Sequence, residues 1–235
     1  MKTIGLLGGM SWESSVEYYR IINETVRDRL GGLHSAHSVM VSVDFAEIET
    51  LQHQNHWEEA TALLVAAAQQ VEAGGADCLL ICTNTMHKMA EPVAAGIRIP
   101  LLHIADATAS AIRAAGLGRV GLLGTRFTME EGFYRGRLVE KHGLEVLLPD
   151  PEERELVHRV IYDELCLGRL EEASRASYRE IIRRLVEAGA QGIILGCTEI
   201  GLLVKPEDSP VPLFDTTQLH AVAAVDFALN RRSDL

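Results

Sequence analysis

GADCLLICTNT, residues 75–85, decides the fold, because GAQGIILGCTE, residues 189–199, repeats its plan. Each stretch opens on Gly-Ala, runs through unbroken apolar residues and stops at small polar ones. A short apolar run bounded by turn residues reads as a strand buried on both faces. Laying Gly75 on Gly189 and Ala76 on Ala190 sets Thr83 opposite Cys197. The first stretch has its own cysteine, Cys82, but one position too early to match.

The repetition extends outward. IGLLGGM (4–10) is like VGLLGTR (120–126), and VEAGGAD (71–77) is like VEAGAQ (186–191). Three matches in the same order predict two similar halves. Further strands are expected at VMVSVDF (39–45), PLLHI (100–104), EVLLP (145–149) and VPLF (211–214), with helical periodicity between most of them. Ser14 with Glu17, and Asp150-Pro151 with Glu153, have the spacing of capping boxes. Helices from Trp57 to about Ala73 and from Glu171 to about Ala188 should stop at Gly74-Gly75 and at Gly189. Short apolar strands alternating with helices give an α/β fold: two pseudo-symmetric domains, each a mostly parallel sheet flanked by helices, with the active site in the cleft between them. The expected division is 1–98 plus 209–235 for the first domain and 99–208 for the second.

The chain has 235 residues, 47% hydrophobic and 23% charged, which suits folded domains of this size. A net charge of −11 with no basic stripe argues against nucleic acid. No apolar run is long enough to span a bilayer, and MKTIGLLGGM is too short and glycine-broken for a signal peptide. The four cysteines (Cys78, Cys82, Cys166 and Cys197) lack CxxC spacing and read as reduced thiols of a cytoplasmic protein.

In open α/β sheets ligands sit beyond the carboxyl ends of the strands. That rule selects Gly8, Gly9, Met10 and Ser11, then Thr83, Asn84 and Thr85, then Thr125, then Cys197, Thr198 and Glu199. Cys197 follows an apolar strand at the start of a helical turn, where amides should lower its pKa and favour the thiolate. Cys82 is expected to point behind its strand into packing, since alternation turns it from the face of Ile81 and Thr83. Cys166 is expected to pack a helix face. GLGRVG (116–121) fits a dinucleotide fingerprint but precedes a strand instead of following one. His34 with His37, and His53 with His56, are too sparse a set for a metal, and no metal site is expected. His87 and His103, near strand ends, have a stronger claim to a role. Lys88 has no phosphate cup or pyridinium partner nearby for pyridoxal phosphate and reads as a solvated side chain.

GLLGGMSW (5–12), TNTMH (83–87), GTRFTMEEGFY (124–134), ELCLG (164–168) and GCTEIGLL (196–203) together resemble the aspartate/glutamate racemase superfamily across essentially the whole chain. The resemblance implies cofactor-independent racemisation of an amino acid, a substrate held between two α/β domains, and a homodimer. It implies a catalytic pair, Thr83 and Cys197, with Thr83 standing where the first catalytic cysteine belongs, as in an L-aspartate/glutamate-specific type. Met10, Ser11, Asn84, Thr85, Thr125, Thr198 and Glu199, already selected by the strand-end rule, are the candidate substrate-binding residues. Two departures bear on the substrate. Cys166 stands where some aspartate racemases carry a lysine, and SVDFAEIETLQ (42–52) lacks an arginine of such relatives, leaving Gln52 as the candidate to hold a distal carboxylate. The sequence leaves open an isomerase or decarboxylase of a small dicarboxylate, and a binding protein that has lost turnover.

Overall fold

The structure, a computed structural model, describes residues 1–229. Among the described residues seven strands form two all-parallel sheets. β1 (Ile4–Gly8), β2 (Ser38–Ser42) and β3 (Cys78–Ile81) lie in the order β2-β1-β3. β4 (Arg119–Gly124), β5 (Glu145–Leu147), β6 (Ile193–Gly196) and β7 (Leu213–Asp215) lie in the order β5-β4-β6-β7. The described residues divide into two compact units, Met1–Ile104 with 220–229, and Ala105–Leu219.

In the first unit, strand alternation sorts the core into two layers. Leu7, Leu79 and Ile81 pack with Leu64, Ala67, Ala68 and Val71 of the helix Trp57–Ala73. Ile4, Leu6, Cys78, Leu80 and Cys82 pack on the other face with Tyr18, Ile22 and Val26 of the helix Trp12–Leu30, and with Ala221, Ala224 and Val225 of the helix Thr216–Ala228. Each large side chain so buried contributes about 1.5–3 kcal/mol. Cys82 points behind the strand, as its parity requires. In the second unit β4 and β6 are almost wholly buried, and Tyr178, Ile181, Ile182 and Leu185 form the buried stripe of the helix Glu172–Glu187. Asp106, its side chain 15% exposed, accepts hydrogen bonds from Arg137, Lys141 and His142.

Local signals account for most boundaries. The helix Trp57–Ala73 ends at Gly74, and Gly75 follows with φ of +89°. Asp150 and Glu153 form the expected reciprocal capping box. The first helix differs: its cap is Ser11, whose hydroxyl accepts from the Ser14 amide at 3.3 Å, so the Ser14–Glu17 box is not its N-terminus. Asp44 caps a helix beginning at Phe45, which ends β2 at Ser42 instead of 45. β5 stops at Leu147.

PLLHI is not a strand. Only Leu101 bridges Leu79, and a helix begins at Ile104, drawing the segment out of the sheet. The observed division falls at 104/105 and 219/220 instead of 98/99 and 208/209. Leu102 N–H donates to Leu79 O at 2.9 Å, tying the one segment to β3, while β7 pairs with β6 in the second sheet. Residues 230–235 of the expected first domain lie outside the described residues. Among the described residues no helix is long and apolar enough to cross a membrane.

Candidate functional site

The carboxyl ends of β1 and β3 lie side by side in the first unit. Leu7 is in register with Ile81, and Cys82 N–H donates to Leu7 O at 2.9 Å. The chain leaves β1 through Gly9, at φ +93°, where a Cβ would lie 2.2 Å from Val43 O. Only glycine passes there. Three serines then fix the turn. Ser15 Oγ accepts from Gly9 N–H (2.8 Å) and donates to Ser11 O (2.9 Å), and Ser14 Oγ also donates to Ser11 O (3.0 Å). Met10 and Ser11 are buried beside the start of the first helix, with the Ser11 hydroxyl engaged in the cap.

β3 gives way to Thr83, Asn84 and a 3-10 turn, Thr85–Met89. Thr83, Asn84 and Thr85 are all buried, Thr83 being 9% exposed. The backbone of Thr83 is held on both sides: its N–H donates to Ile81 O at 2.9 Å, and its C=O accepts from His87 Nδ1 at 2.8 Å. Gln52 is buried in the helix Phe45–His53, so it comes from a helix and not from a strand end.

The second unit builds its part on β4 and β6. Gly124 pairs with Gly196, and the next residues are Thr125 and Cys197. A Cβ on Gly124 would meet Gly196 O at 2.8 Å, so the two strand ends approach as closely as they do because both are glycine. Thr125 caps the helix Arg126–Glu130, accepting from Thr128 N–H at 3.3 Å. Cys197, Thr198 and Glu199 turn from β6 into the short helix Ile200–Leu203. Cys197 Sγ donates to Glu199 Oε2 at 2.9 Å, and the Thr198 hydroxyl donates to the same oxygen at 2.6 Å.

This geometry corrects one expectation. The Cys197 thiol is pushed well up from its ordinary value, not down. Burial is the largest cause, the residue being 8% exposed, and the negative Glu199 carboxylate is the next. The Glu199 amide does favour the thiolate but is outweighed. Cys197 is therefore a thiol poised against a carboxylate. By contrast Cys82 is raised by burial alone and has no such partner.

The strand-end residues thus form two groups: Met10, Ser11, Thr83, Asn84 and Thr85 in the first unit, and Thr125, Cys197, Thr198 and Glu199 in the second. Thr216 and Thr217 were not foreseen. β6 and β7 are in register at Leu195 and Asp215, so these buried threonines follow beside Gly196 and Cys197, with Thr216 Oγ1 donating to Leu195 O at 2.9 Å. The strand-end rule applied to VPLF selects them once the strand is extended to Asp215. Cys166 sits half-buried in a 3-10 turn, Leu165–Leu167, and not on a helix face. The Lys88 ammonium lies over the Trp57 ring, 3.9 Å from its centroid, so it is engaged by an aromatic face and not simply solvated. His53 and His56 lie beside Glu49 and Glu59. Among the described residues no group of three His, Cys, Asp or Glu could hold a metal ion.

Residues 7–224 match the family described as Asp/Glu/Hydantoin racemase. A candidate Asp/Glu racemase of Yersinia pestis, known from its crystal structure, is 57% identical, with a TM-score of 0.91 over 97% of this chain and 100% of that one. An aspartate racemase homologue of Pyrococcus horikoshii is 34% identical, with a TM-score of 0.85 over the same shares. The broad specificity amino-acid racemase RacX of Bacillus subtilis is 23% identical over 75% of each chain.

Proposed function

Because the chain belongs to the Asp/Glu/Hydantoin racemase family, we propose that it racemises an acidic amino acid, aspartate or glutamate, without a cofactor. The observation that carries this reading is the Cys197 thiol hydrogen-bonded to the buried Glu199 carboxylate. The α-hydrogen of an amino acid is very weakly acidic, and inversion needs it removed from one face and replaced on the other. Two groups, one for each face, meet that need. In this account Glu199 takes the Cys197 proton as substrate binds, and the substrate's ammonium group favours the thiolate that results. The thiolate removes the α-hydrogen. The Thr83 hydroxyl supplies a proton to the opposite face and is replenished from solvent, and Glu199 releases its proton to solvent as product leaves, which restores the thiol–carboxylate pair.

The carbanion's charge spreads onto the α-carboxylate, so stabilising it is the other half of the work. Neutral donors suit that role, and the chain offers Asn84 and Thr85 after β3, Thr125 after β4 and Thr198 beside the thiol. Gln52 is assigned to the distal carboxylate, and Met10 and Ser11 to the substrate-facing turn after β1. A threonine hydroxyl is far too weak an acid to rest as a base. Cys197 therefore starts the reaction, and Thr83 completes it from the enantiomer that Cys197 confronts, which by the family resemblance is L. The same resemblance implies a homodimer, and the reading of the four cysteines as reduced thiols implies the cytoplasm.

Chiral chromatography after incubation with L-aspartate and with L-glutamate tests the reading. The D-enantiomer of at least one should accumulate toward an equal mixture. No D-product and no α-deuterium uptake from D₂O would refute it. Turnover of maleate or an aryl malonate in place of the amino acids would move the chain to a dicarboxylate isomerase or decarboxylase.

A further inference from the structure

We infer that His87 is a positioning residue for Thr83, acting as a neutral imidazole with its proton on Nδ1. The inference rests on the role given to Thr83 above. In a regular helix the Thr83 carbonyl would accept the backbone N–H of residue 87. Here that N–H donates to Asn84 O at 3.1 Å, tightening the turn into 3-10 geometry. The Thr83 carbonyl drops out of the backbone ladder, and the His87 side chain takes it through Nδ1 at 2.8 Å.

The other ring nitrogen fixes the tautomer. Ile104 N–H donates to His87 Nε2 at 3.2 Å. A carbonyl oxygen can only accept and an amide N–H can only donate, so Nδ1 carries the hydrogen and Nε2 the lone pair. One side chain thereby joins the peptide that follows β3 to the first residue of the helix at Ile104. The ring itself is confined. His103 lies 4.5 Å away and His220 5.7 Å away, centroid to centroid. His220 is in turn held between the Tyr18 hydroxyl (2.8 Å) and Leu102 O (2.7 Å). His87 is 2% exposed, and a buried imidazole with both nitrogens so engaged has no freedom to turn. The Thr83 carbonyl, and with it the backbone that carries the Thr83 hydroxyl, is held by this ring and not by helix regularity.

The two nitrogens can be tested separately. His87→Asn places a carboxamide N–H₂ near the Nδ1 position and keeps a donor for the Thr83 carbonyl. His87→Gln carries its oxygen out to the Nε2 position and keeps an acceptor for Ile104 N–H, losing the bond to Thr83. In D₂O with the L-substrate, deuterium in recovered L-substrate reports proton return from the Cys197 side, and D-product reports delivery by Thr83. The ratio of inversion to exchange with retention is independent of how much protein is folded. His87→Gln should lower that ratio about tenfold, the size expected for a misplaced buried donor, while His87→Asn stays within about twofold of wild type.

An unchanged ratio in His87→Gln, or equal losses in both variants, overturns the inference and leaves His87 as packing. Thr83→Ala distinguishes a failure of this inference from a failure of the reading beneath it. If it still inverts substrate, the reading of Thr83 is wrong; if it only exchanges, that reading stands and the His87 variants decide. Should neither variant fold, nitrogen-15 spectra of the wild-type His87 ring decide instead. Protonation at Nδ1 alone near neutral pH supports the inference, and a proton on Nε2 overturns it.

Discussion

Glu199→Gln is predicted to move two properties of Cys197 in opposite directions. The substitution keeps the side chain's shape and an oxygen for the Thr198 hydroxyl but removes its charge. The carboxylate oxygen lies 2.9 Å from Sγ, in surroundings where both residues are buried. A unit charge at that distance is worth on the order of 5 kcal/mol at an effective dielectric near 20. Its removal lowers the thiol pKa, because the Glu199 charge is second only to burial among the causes that raise it. Cys197 should therefore be alkylated faster by iodoacetamide at neutral pH, measured by mass spectrometry of its own peptide. Racemisation should nevertheless fall by about 10²-fold or more, since a carboxamide cannot take the thiol proton. If Glu199 served only to hold the thiol protonated, the variant would racemise faster. Racemisation unchanged or increased, in a variant that melts like wild type, refutes its role as proton acceptor.

Three further outcomes follow from the packing. Cys82→Ala is predicted to cost about 1–2 kcal/mol of stability, read by denaturant titration, while kcat changes little, because Cys82 lies in the layer behind the strand. Gly9→Ala should destabilise by more than about 2 kcal/mol, lowering Tm and disturbing activity together, since it combines φ of +93° with contact on Val43 O. Acid unfolding should have two stages. Burial, opposed by the Leu102 hydrogen bond, lowers His220 to about 4, so stability fully present above about pH 6.5 is lost as pH falls toward 4, on the order of 3 kcal/mol. Burial opposes ionisation of Asp106, but bonds from Arg137, Lys141 and His142 outweigh it and hold its carboxyl below the usual range. Its contribution is present above about pH 4 and lost below that. His220→Gln should flatten the first slope and Asp106→Asn the second, as measured by Tm against pH.

The repeated strand and the Gly-terminated helices were legible because period, turn residues and caps act over a few neighbours. The 75–85 and 189–199 stretches sit at equivalent places in their own sheets for that reason. PLLHI misled because its apolar run matches a strand locally, while the start of a helix at Ile104 removes it from the ladder. The helix cap went to Ser11 instead of Ser14 because all three nearby serines bond within one turn, and spacing alone does not rank them. Strand-end polarity makes Thr83, Cys197 and their neighbours the candidate site residues, but the direction of the thiol shift does not follow from it. A residue's position after a strand suggests helpful amides; how deeply it is buried, and that a carboxylate two residues on turns back to meet it, are tertiary facts. His87 stood out only as a histidine near a strand end. The partner that gives it meaning, the amide of Ile104, is distant in sequence.

Early-time solvent labelling reads out whether Cys197 is the base that opens the Cα–H bond. Wild type and Cys197→Ser are each incubated in D₂O with unlabelled L-substrate, and both enantiomers are separated and weighed by mass spectrometry while conversion is still slight. The hydroxyl keeps the volume of the thiol but ionises far less readily near neutral pH. If Cys197 is that base, the first D-enantiomer formed by wild type carries one α-deuterium, and the folded serine variant yields neither D-product nor deuterated L-substrate. Racemisation by Cys197→Ser within a few-fold of wild type would contradict it.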